Sequence, residues 1–195
     1  MKENTWKIDL KSALFLVIII TVCTLFLSIT NNLYQGVIAE RQKIIRMEIL
    51  EDFGVSFSND TFPSLFAENV ETIIDRKSTY FIFKGTPQKA GIITSGSGLW
   101  GIIDLLIIIN VDTKVIQKLR VLSHTETPGL GGKIEEEWFT SQFNDLDYSE
   151  DVKIVNNRTG ATGEVDAISG ATATSRSVET IINTAIQRYM DRNKR

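Results

Sequence analysis

The strongest constraint on this chain is a long stretch near its start that carries no charge. No charged residue occurs between Lys11 and Glu40, and residues 13–29 read ALFLVIIITVCTLFLSI. A helix rising about 1.5 Å per residue needs roughly 20 residues to cross a hydrocarbon core about 30 Å thick, and the uncharged residues 30–34 supply the remaining length. A cleaved signal peptide usually has a shorter apolar region and an A-x-A-like site, which residues 28–36 do not contain. Residues 1–34 are therefore predicted to form an N-terminal tail and a retained transmembrane helix.

The composition excludes several classes of protein. Among 195 residues, 21 Lys and Arg stand against 24 Asp and Glu, and this mild acidity argues against a nucleic-acid partner. A single cysteine, Cys23, excludes a disulfide scaffold and a cysteine-based zinc or iron–sulfur site. A single histidine excludes a multi-histidine metal site, so no metal ligands are predicted. Basic residues flank the apolar stretch equally, which leaves its orientation undetermined by charge.

The remaining residues, 35–195, are predicted to form one domain of the α+β class, because about 160 residues suit a single domain. Apolar residues at helical spacing predict a helix over 37–52, whereas residues 53–69 are predicted to be irregular. The apolar run 102–111 is too short for a second membrane span and is rich in β-branched residues, so it is predicted to form a buried strand. Further strands are predicted at 70–74, 78–83, 91–94, 115–123, 152–155 and 164–168, with a break at 95–98 and a short helix over 133–143.

The C-terminal segment combines a strong helix with a run of hydroxyl side chains before it. Apolar residues recur at helical spacing from Val178 to Tyr189, which predicts a helix from about Ser175 to Asn193. The preceding residues 166–175 read DAISGATATS. A helix start has free N–H groups and a positive dipole end, and it therefore favours an anion such as phosphate. The alternative is that Thr174 or Ser175 serves only as an N-cap.

The spacing Asp-x-x-Ser-Gly-Ala-Thr at residues 166–172 resembles the recognition motif for covalent flavinylation. In that family a flavin transferase links the phosphate of FMN to the threonine hydroxyl as a phosphodiester. The resemblance implies that Thr172 is the acceptor, with Thr174 as its nearest competitor. Asp166 would serve recognition by the transferase, and the alternative for it is an ordinary turn residue at a strand end. The residues implied to shape the phosphate site are Ser169, Gly170 and Ala171.

The four-residue core of this motif has an echo ten positions earlier. Residues 159–162 read TGAT, but Asn156 stands where the motif has aspartate, and residues 163–166 do not begin a helix. Thr172 is therefore preferred over Thr162 as the flavin acceptor.

Two glycine-rich segments widen the resemblance. Residues 124–132 read HTETPGLGG, and three glycines with one proline in nine residues demand unusual backbone angles. This segment resembles the ETPGLG signature of the FMN-binding subunits in Rnf complexes and in sodium-pumping NADH:quinone oxidoreductases. Residues 96–100, GSGLW, resemble a stretch seen especially in the C subunit of the latter enzyme. The chain is identified as a member of this family. Its short length favours the G subunit of the Rnf complex, a ferredoxin:NAD+ oxidoreductase, while Leu99 and Trp100 favour the C subunit of the quinone oxidoreductase. The G subunit is the preferred interpretation, and the C subunit is the alternative.

Membership in that family implies an electron-carrying subunit of a membrane complex with covalently bound FMN and no catalytic residue of its own. The implied partners are the A, B, C, D and E subunits of an Rnf-type complex, together with a flavin transferase that matures the protein. In such relatives the flavin domain lies on the outer side of the cytoplasmic membrane. The resemblance therefore predicts a single-pass membrane protein whose FMN-binding domain, residues 35–195, is extracytoplasmic.

The resemblance also implies contacts for the flavin, each with a simpler alternative. Residues implied to line the ribityl chain or the ring are Glu126, Thr127, Gly129, Leu130 and Gly131, with further ring contacts from Gly98, Leu99 and Trp100. Leu130 could equally belong to the core, and Trp100 could equally be an aromatic residue of the core or of the membrane side. Lys133 and Arg176 are candidate phosphate partners or solvated surface residues, and His124 is expected to be structural.

Three classes of function remain open at this point. The first is the electron-carrying subunit, the second a membrane-tethered flavoprotein reductase acting alone, and the third a tethered binding module without flavin. The sequence contains no Gly-x-Ser-x-Gly elbow and no Walker A motif, so a serine hydrolase or a nucleoside triphosphatase is not favoured.

Overall fold

The computed structural model describes residues 10–75, 77–85 and 88–194. The chain divides into two compact units between Met47 and Glu48. The first helix, α1, runs without interruption over Leu10–Asp52, so the helix predicted over 37–52 is the end of a longer one. The domain boundary predicted between residues 34 and 35 lies inside α1. The first nine residues of the predicted tail lie outside the described residues.

Within the first unit, α1 presents apolar side chains all along its membrane-length stretch. Its large apolar side chains from Leu14 to Leu33 are 44–70% exposed. The hydroxyls of Thr21, Thr24 and Thr30 each donate to the carbonyl four residues earlier, at 2.8, 2.7 and 2.7 Å. These polar groups are thereby satisfied without water, as a hydrocarbon environment requires. Among the described residues, α1 is the helix that is long and apolar enough to cross a membrane.

The second unit is built on a six-stranded sheet in which strands adjacent in sequence are also adjacent in space and antiparallel. Its strands are β1 (Val70–Ile74), β2 (Ser78–Phe83), β3 (Lys89–Ser97), β4 (Ile102–Asn110), β5 (Val115–Ser123) and β6 (Leu146–Asp147). A separate parallel pair joins β7 (Lys153–Val155) to β8 (Glu164–Asp166). The helices are α2 (Phe62–Asn69), α3 (Glu137–Thr140) and α4 (Thr172–Asn193), with 3₁₀ turns at Gly131–Glu135 and Ser141–Phe143. The predicted α+β class is confirmed.

One face of the sheet packs against α4. Alternate residues of β4 share a core cluster with the apolar stripe of α4, and the stripe residues are nearly all inaccessible to solvent. Side chains of a strand alternate between faces with period two, so this face takes every second residue of β4. The members from β4 are Ile103, Leu105, Ile107 and Ile109, and those from α4 are Val178, Ile181, Ile182, Ala185, Ile186 and Tyr189.

The other face is covered by the end of α1, which explains why β4 is a continuous apolar run. Ile49 and Leu50 are both 0% exposed. A Cβ placed on Gly91 would meet Ile108 Cδ1 at 3.3 Å, Ile49 Cγ2 at 3.6 Å and Phe81 Cβ at 3.6 Å, so these side chains pack together over the sheet. Burying an aliphatic side chain of this size stabilises a fold by about 1.5–3 kcal/mol. The sheet is therefore the middle layer of the unit.

Two sequence-based expectations about this unit are wrong. The break predicted at 95–98 begins only at Gly98, because Ser95, Gly96 and Ser97 still pair with β4. Gly96 has no side chain, which allows Ile181 of α4 to lie directly against the strand. The segment 53–69, predicted to be irregular, contains α2 with Pro63 in its first turn. The N–H that proline lacks would have no partner within the helix at this position, so proline is tolerated there.

Candidate functional site

Helix α4 begins at Thr172, three residues earlier than the sequence pattern predicts. The start is set by a tight turn in which the Ala171 N–H donates to the Ile168 carbonyl at 2.9 Å. Gly170 occupies the third position of this turn with φ +77°, a conformation that favours glycine. The N-cap residue, Ala171, makes no side-chain cap. The first N–H groups of α4 are therefore suited to an anion.

The hydroxyl residues of this helix start have different surroundings. Thr172 is exposed, whereas Thr174 and Ser175 are 1% and 0% exposed. The Ser175 hydroxyl accepts the Ile168 N–H at 3.1 Å and donates to the Ala171 carbonyl at 3.0 Å, so it fixes the turn from within. Neither Thr174 nor Ser175 is an N-cap, and that interpretation is wrong. Of the two competing threonines, Thr172 is the one that reaches the surface.

A buried carboxylate joins the three sequence motifs. Glu126, 4% exposed, accepts the N–H groups of Leu99 (2.8 Å) and Trp100 (3.1 Å) on Oε1. Its Oε2 accepts the hydroxyl of Thr174 at 2.7 Å. Both oxygens are thus engaged within the protein, and sequence reasoning missed this linking role. The sequence signal that could have indicated this role is a carboxylate inside a glycine-rich segment, because a carboxylate that is buried there needs hydrogen-bond partners. The predicted role of Glu126 in lining the ribityl chain or the ring stays a prediction.

His124 supports this carboxylate from the backbone side. Its Nδ1 accepts the N–H of Glu126 at 3.1 Å, and its Nε2 lies 3.3 Å from Glu135 Oε2. These contacts agree with the structural role expected of His124.

Two glycines bring the backbone against the same carboxylate. A Cβ on Gly131 would lie 2.6 Å from Thr174 Oγ1 and 2.8 Å from Glu126 Oε2. A Cβ on Gly98 would overlap Glu126 Oε1 and lie 2.8 Å from Ile103 Cδ1. Neither position has room for a methyl group, so the glycines of both loops are needed for close approach.

The apolar side chains around this link face solvent. Leu99, Trp100 and Leu130 are 56%, 69% and 48% exposed, so the alternative that Leu130 and Trp100 belong to the core is wrong. Leu130 reaches the turn before α4, because its Cδ2 would lie 3.7 Å from a Cβ on Gly170. Exposed aliphatic and aromatic side chains beside an exposed hydroxyl suit a ligand with a flat apolar ring and a polar tail.

The other residues of the glycine-rich loop shape its backbone. The Thr127 carbonyl accepts the N–H groups of Leu130 at 3.2 Å and Gly132 at 2.9 Å. Gly129 has φ +75°, which only glycine adopts readily. Lys133 is half-buried in the 3₁₀ turn that follows, and its proposed contact with phosphate stays a prediction.

The remaining motif residues lie around the start of α4. Ser169 is exposed in the tight turn, and Arg176 is exposed on α4 itself. Asp166 ends β8 and is half-buried, with its backbone N–H donating to Gln142 Oε1 at 2.9 Å. The side-chain roles predicted for Asp166 and Arg176 stay predictions.

The TGAT echo has a different fate from the flavinylation motif. The Glu164 carboxylate accepts the N–H of Thr159 at 2.6 Å, that of Gly160 at 3.1 Å and that of Ala161 at 3.3 Å, along with the Thr159 hydroxyl at 2.9 Å. These hydrogen bonds, led by the Thr159 N–H, hold the pKa of Glu164 below its ordinary value against the opposing effect of burial. Residues 159–161 therefore wrap around an internal anion. Thr162 itself is exposed, and the preference for Thr172 as the flavin acceptor stays a prediction.

The residues present fit FMN. A phosphate could bind beside the exposed Thr172 hydroxyl at the N-terminus of α4. An isoalloxazine ring could contact the exposed side chains of Leu99, Trp100 and Leu130, which belong to the loops that Glu126 links to α4. Within the described ranges 10–75, 77–85 and 88–194, no group of three or more His, Cys, Asp or Glu could hold a metal ion.

Comparison with known proteins supports this assignment. Residues 98–187 match the family described as FMN-binding domain, and this range contains Gly98–Trp100, the whole second glycine-rich segment and the start of α4. The crystal structure of the C subunit of the Na(+)-translocating NADH-quinone reductase from Parabacteroides distasonis shares the fold, with a TM-score of 0.58 at 21% identity over 76% of this chain and 90% of that one. Fold and site together define an FMN-binding-domain protein.

Relatives at higher identity narrow the family. The chain is 30% identical to the G subunit of the proton-translocating ferredoxin:NAD(+) oxidoreductase complex of Clostridium ljungdahlii, over 82% of this chain and 89% of that protein. It is 36% identical to the C subunit of the Na(+)-translocating NADH-quinone reductase of Yersinia pestis, but over 45% of this chain and 36% of that protein. The chain belongs to the family of FMN-binding G subunits of ion-translocating oxidoreductase complexes.

Proposed function

We propose that this protein is an electron-carrying subunit of a membrane-bound, ion-translocating ferredoxin:NAD+ oxidoreductase complex, and that FMN is attached to Thr172 through a phosphodiester bond. The observation that carries the covalent assignment is the contrast between two threonines: Thr172 is exposed, and Thr174 is 1% exposed. A separate transferase can modify a hydroxyl only if it can reach it. The similarity to the G subunit of the Clostridium ljungdahlii complex supports the assignment to a complex of this type.

The chain's own residues would hold the phosphate in place. Thr172 is the first residue of α4, so a phosphodiester there lies at the positive end of the helix dipole. A single negative charge at a helix N-terminus is stabilised by about 0.3–1 kcal/mol. The turn at Gly170 brings the backbone N–H groups to this point without a bulky side chain in the way.

The exposed apolar side chains would orient the ring. Leu99, Trp100 and Leu130 together offer one aromatic and two aliphatic surfaces, and an aromatic contact adds about 0.5–1.5 kcal/mol beyond the area that it buries. Bound FMN supplies one- and two-electron transfer, and the protein supplies its position and electrostatic surroundings. The role of the chain is therefore to carry electrons between neighbouring subunits.

The long apolar helix α1 would anchor this carrier in the cytoplasmic membrane. In this proposal the FMN-binding domain lies on the outer side, and the partners are the other subunits of the complex, of the A, B, C, D and E types. A covalent bond would prevent loss of FMN in a compartment from which free cofactor could not be recovered. A flavin transferase is required for maturation.

The covalent assignment is tested by intact mass after denaturation. Wild type, Thr172→Ala and the matched control Thr162→Ala are each coexpressed with a flavin transferase, and the modified peptide is mapped. Wild type and Thr162→Ala should gain one FMN less one water on the peptide that contains Thr172, and Thr172→Ala should gain nothing. An unmodified wild type, with the transferase active on a control substrate, would contradict the proposal, as would a Thr172→Ala protein with stoichiometric covalent flavin.

Membership in a complex is tested by purification in mild detergent. We expect the flavin-loaded chain to copurify with integral membrane subunits. A flavin-loaded chain that purifies alone and reduces a small acceptor would instead be a membrane-tethered reductase.

A further inference from the structure

We propose that Glu126 is a positioning residue of the flavin site, whose carboxylate fixes the Leu99–Trp100 turn to the first turn of α4 before any flavin is attached. The inference rests on the proposed function, because the surface so fixed is the surface on which the flavin would lie. Glu126 acts through the protein: both of its oxygens are bonded to this chain's own groups.

The first half of the argument concerns the turn between β3 and β4. The turn is closed by the Gly98 N–H, which donates to the Gly101 carbonyl at 2.6 Å. At its tip, the Leu99 and Trp100 side chains are 56% and 69% exposed, so packing does little to hold them. The N–H groups of the same two residues both donate to Glu126 Oε1. The orientation of the turn therefore depends on this carboxylate.

The second half concerns the helix. Thr174 is the third residue of α4, two positions beyond Thr172, and its hydroxyl donates to Glu126 Oε2 at 2.7 Å. Hydrogen bonds to an ionised carboxylate are stronger than bonds between neutral groups, and burial strengthens them further. Gly98 and Gly131 press the backbone against the carboxylate from two sides. One side chain thus ties the β3–β4 turn and the start of α4 to the glycine-rich loop.

The consequence is a preset geometry between the acceptor hydroxyl and the apolar ring surface. A flavin held only by its phosphate has a flexible ribityl chain, and each free rotation must be frozen when the ring settles. A surface that is already ordered removes part of this entropic cost. The same bond also keeps the Thr174 hydroxyl inside the protein, away from the transferase.

The coupling is tested without flavin, on the full chain in detergent, by amide hydrogen exchange. Thr174→Val removes the hydroxyl but keeps the shape of the side chain, and Thr174→Ser keeps the hydroxyl as the matched control. We expect exchange at Leu99 and Trp100 to quicken roughly tenfold in Thr174→Val and to stay at the wild-type rate in Thr174→Ser. Amides of β4 from Leu105 to Ile109 should be unchanged in both variants.

Two outcomes would overturn the proposal. Wild-type exchange at Leu99 and Trp100 in Thr174→Val would mean that the turn is not coupled to α4. An equal acceleration throughout β4 would mean that Thr174 is merely structural. If Thr174→Val does not fold, Glu126→Gln takes its place, because it keeps the size of the side chain and removes the charge, and the same local acceleration is expected. Absence of flavin on the wild-type protein would defeat the proposed function and leave the exchange result to decide this inference.

A second readout uses the flavin-loaded proteins. The visible circular dichroism of a flavin reports the asymmetry of its surroundings, so Thr174→Val should alter the flavin bands while carrying the same amount of covalent FMN as wild type. Thr174→Ser should restore the wild-type spectrum. Identical spectra in all three proteins would contradict a positioning role.

Discussion

Replacing Gly98 by alanine should destabilise the FMN-binding domain, whereas the same replacement at Gly101 should not. Both glycines lie in the turn between β3 and β4, and neither has the positive φ that would exclude alanine. A methyl group on Gly98 would overlap Glu126 Oε1 and lie 2.8 and 2.9 Å from two carbons of Ile103. A methyl group on Gly101 would overlap the hydroxyl of Thr125. The difference lies in what each neighbour can do.

Neither neighbour of Gly98 can move at low cost. Ile103 is 0% exposed, and Glu126 is held by three hydrogen bonds to Leu99, Trp100 and Thr174. Overpacking such a site costs about 1–3 kcal/mol. Thr125 is exposed and can rotate into solvent, so the Gly101 variant should stay within about 0.5 kcal/mol of wild type.

The measurement is thermal unfolding of the full chain in detergent, followed through the domain's tertiary signal. For a unit of about 150 residues, 1 kcal/mol shifts the midpoint by roughly 2–4 °C, so Gly98→Ala should lower the midpoint by roughly 2–12 °C. Contact distance alone predicts the opposite order, because the clash at Gly101 is the closer one. A larger loss in Gly101→Ala than in Gly98→Ala would refute the reasoning from rigidity.

Two further predictions concern pH. Burial raises the pKa of Tyr148 to about 12, so its phenol should ionise near pH 12 in a titration followed at the tyrosinate absorbance, with Tyr148→Phe as the control. The Tyr148 phenol keeps its proton to a higher pH in the folded state than in the unfolded chain. The contribution of Tyr148 to stability is therefore full below about pH 10 and is lost as the pH rises towards 12. The pKa of Glu164 is shifted in the opposite direction, below its ordinary value. Its contribution to stability is present above the ordinary carboxyl pKa and is lost as the pH falls through the lowered pKa. Glu164→Gln should therefore flatten the acid side of the curve of unfolding free energy against pH, measured by urea unfolding. A variant with the wild-type slope would contradict the second prediction.

Much of the sheet could be predicted because its strands carry local signals. The β-branched run 102–111 and the apolar pattern of 115–123 predicted two strands, which the structure confirms as the antiparallel pair β4 and β5. The continuation of β3 through Gly96 and Ser97 could not be predicted, because it depends on pairing with β4 and on the packing of Ile181 across the sheet. Ile181 lies far away in sequence, and local propensity gives no sign of such a partner.

The candidate site likewise has a part that the sequence predicted and a part that it could not predict. The motifs identified the segments that meet, since glycine and hydroxyl residues at fixed spacing leave a local trace. What joins them, the Glu126 carboxylate, is separated from Trp100 by 26 residues and from Thr174 by 48, and no spacing rule connects the three. The early start of α4 has the same origin, because Ser175, which looks like a cap, is used inside the turn that precedes the helix.

The two copies of the Gly-Ala-Thr core explain why a short motif does not determine a site by itself. At residues 159–161 the backbone N–H groups converge on Glu164, which is part of the chain, so the local demand for an anion is already met. At residues 170–172 the N-cap is Ala171, which makes no side-chain cap. The buried acid Glu126 is hydrogen-bonded to Thr174 and to the β3–β4 turn instead. The second copy therefore leaves a positive helix end and a free surface hydroxyl together. That combination, more than the four-residue sequence, is the reason for which we propose Thr172 as the phosphate site.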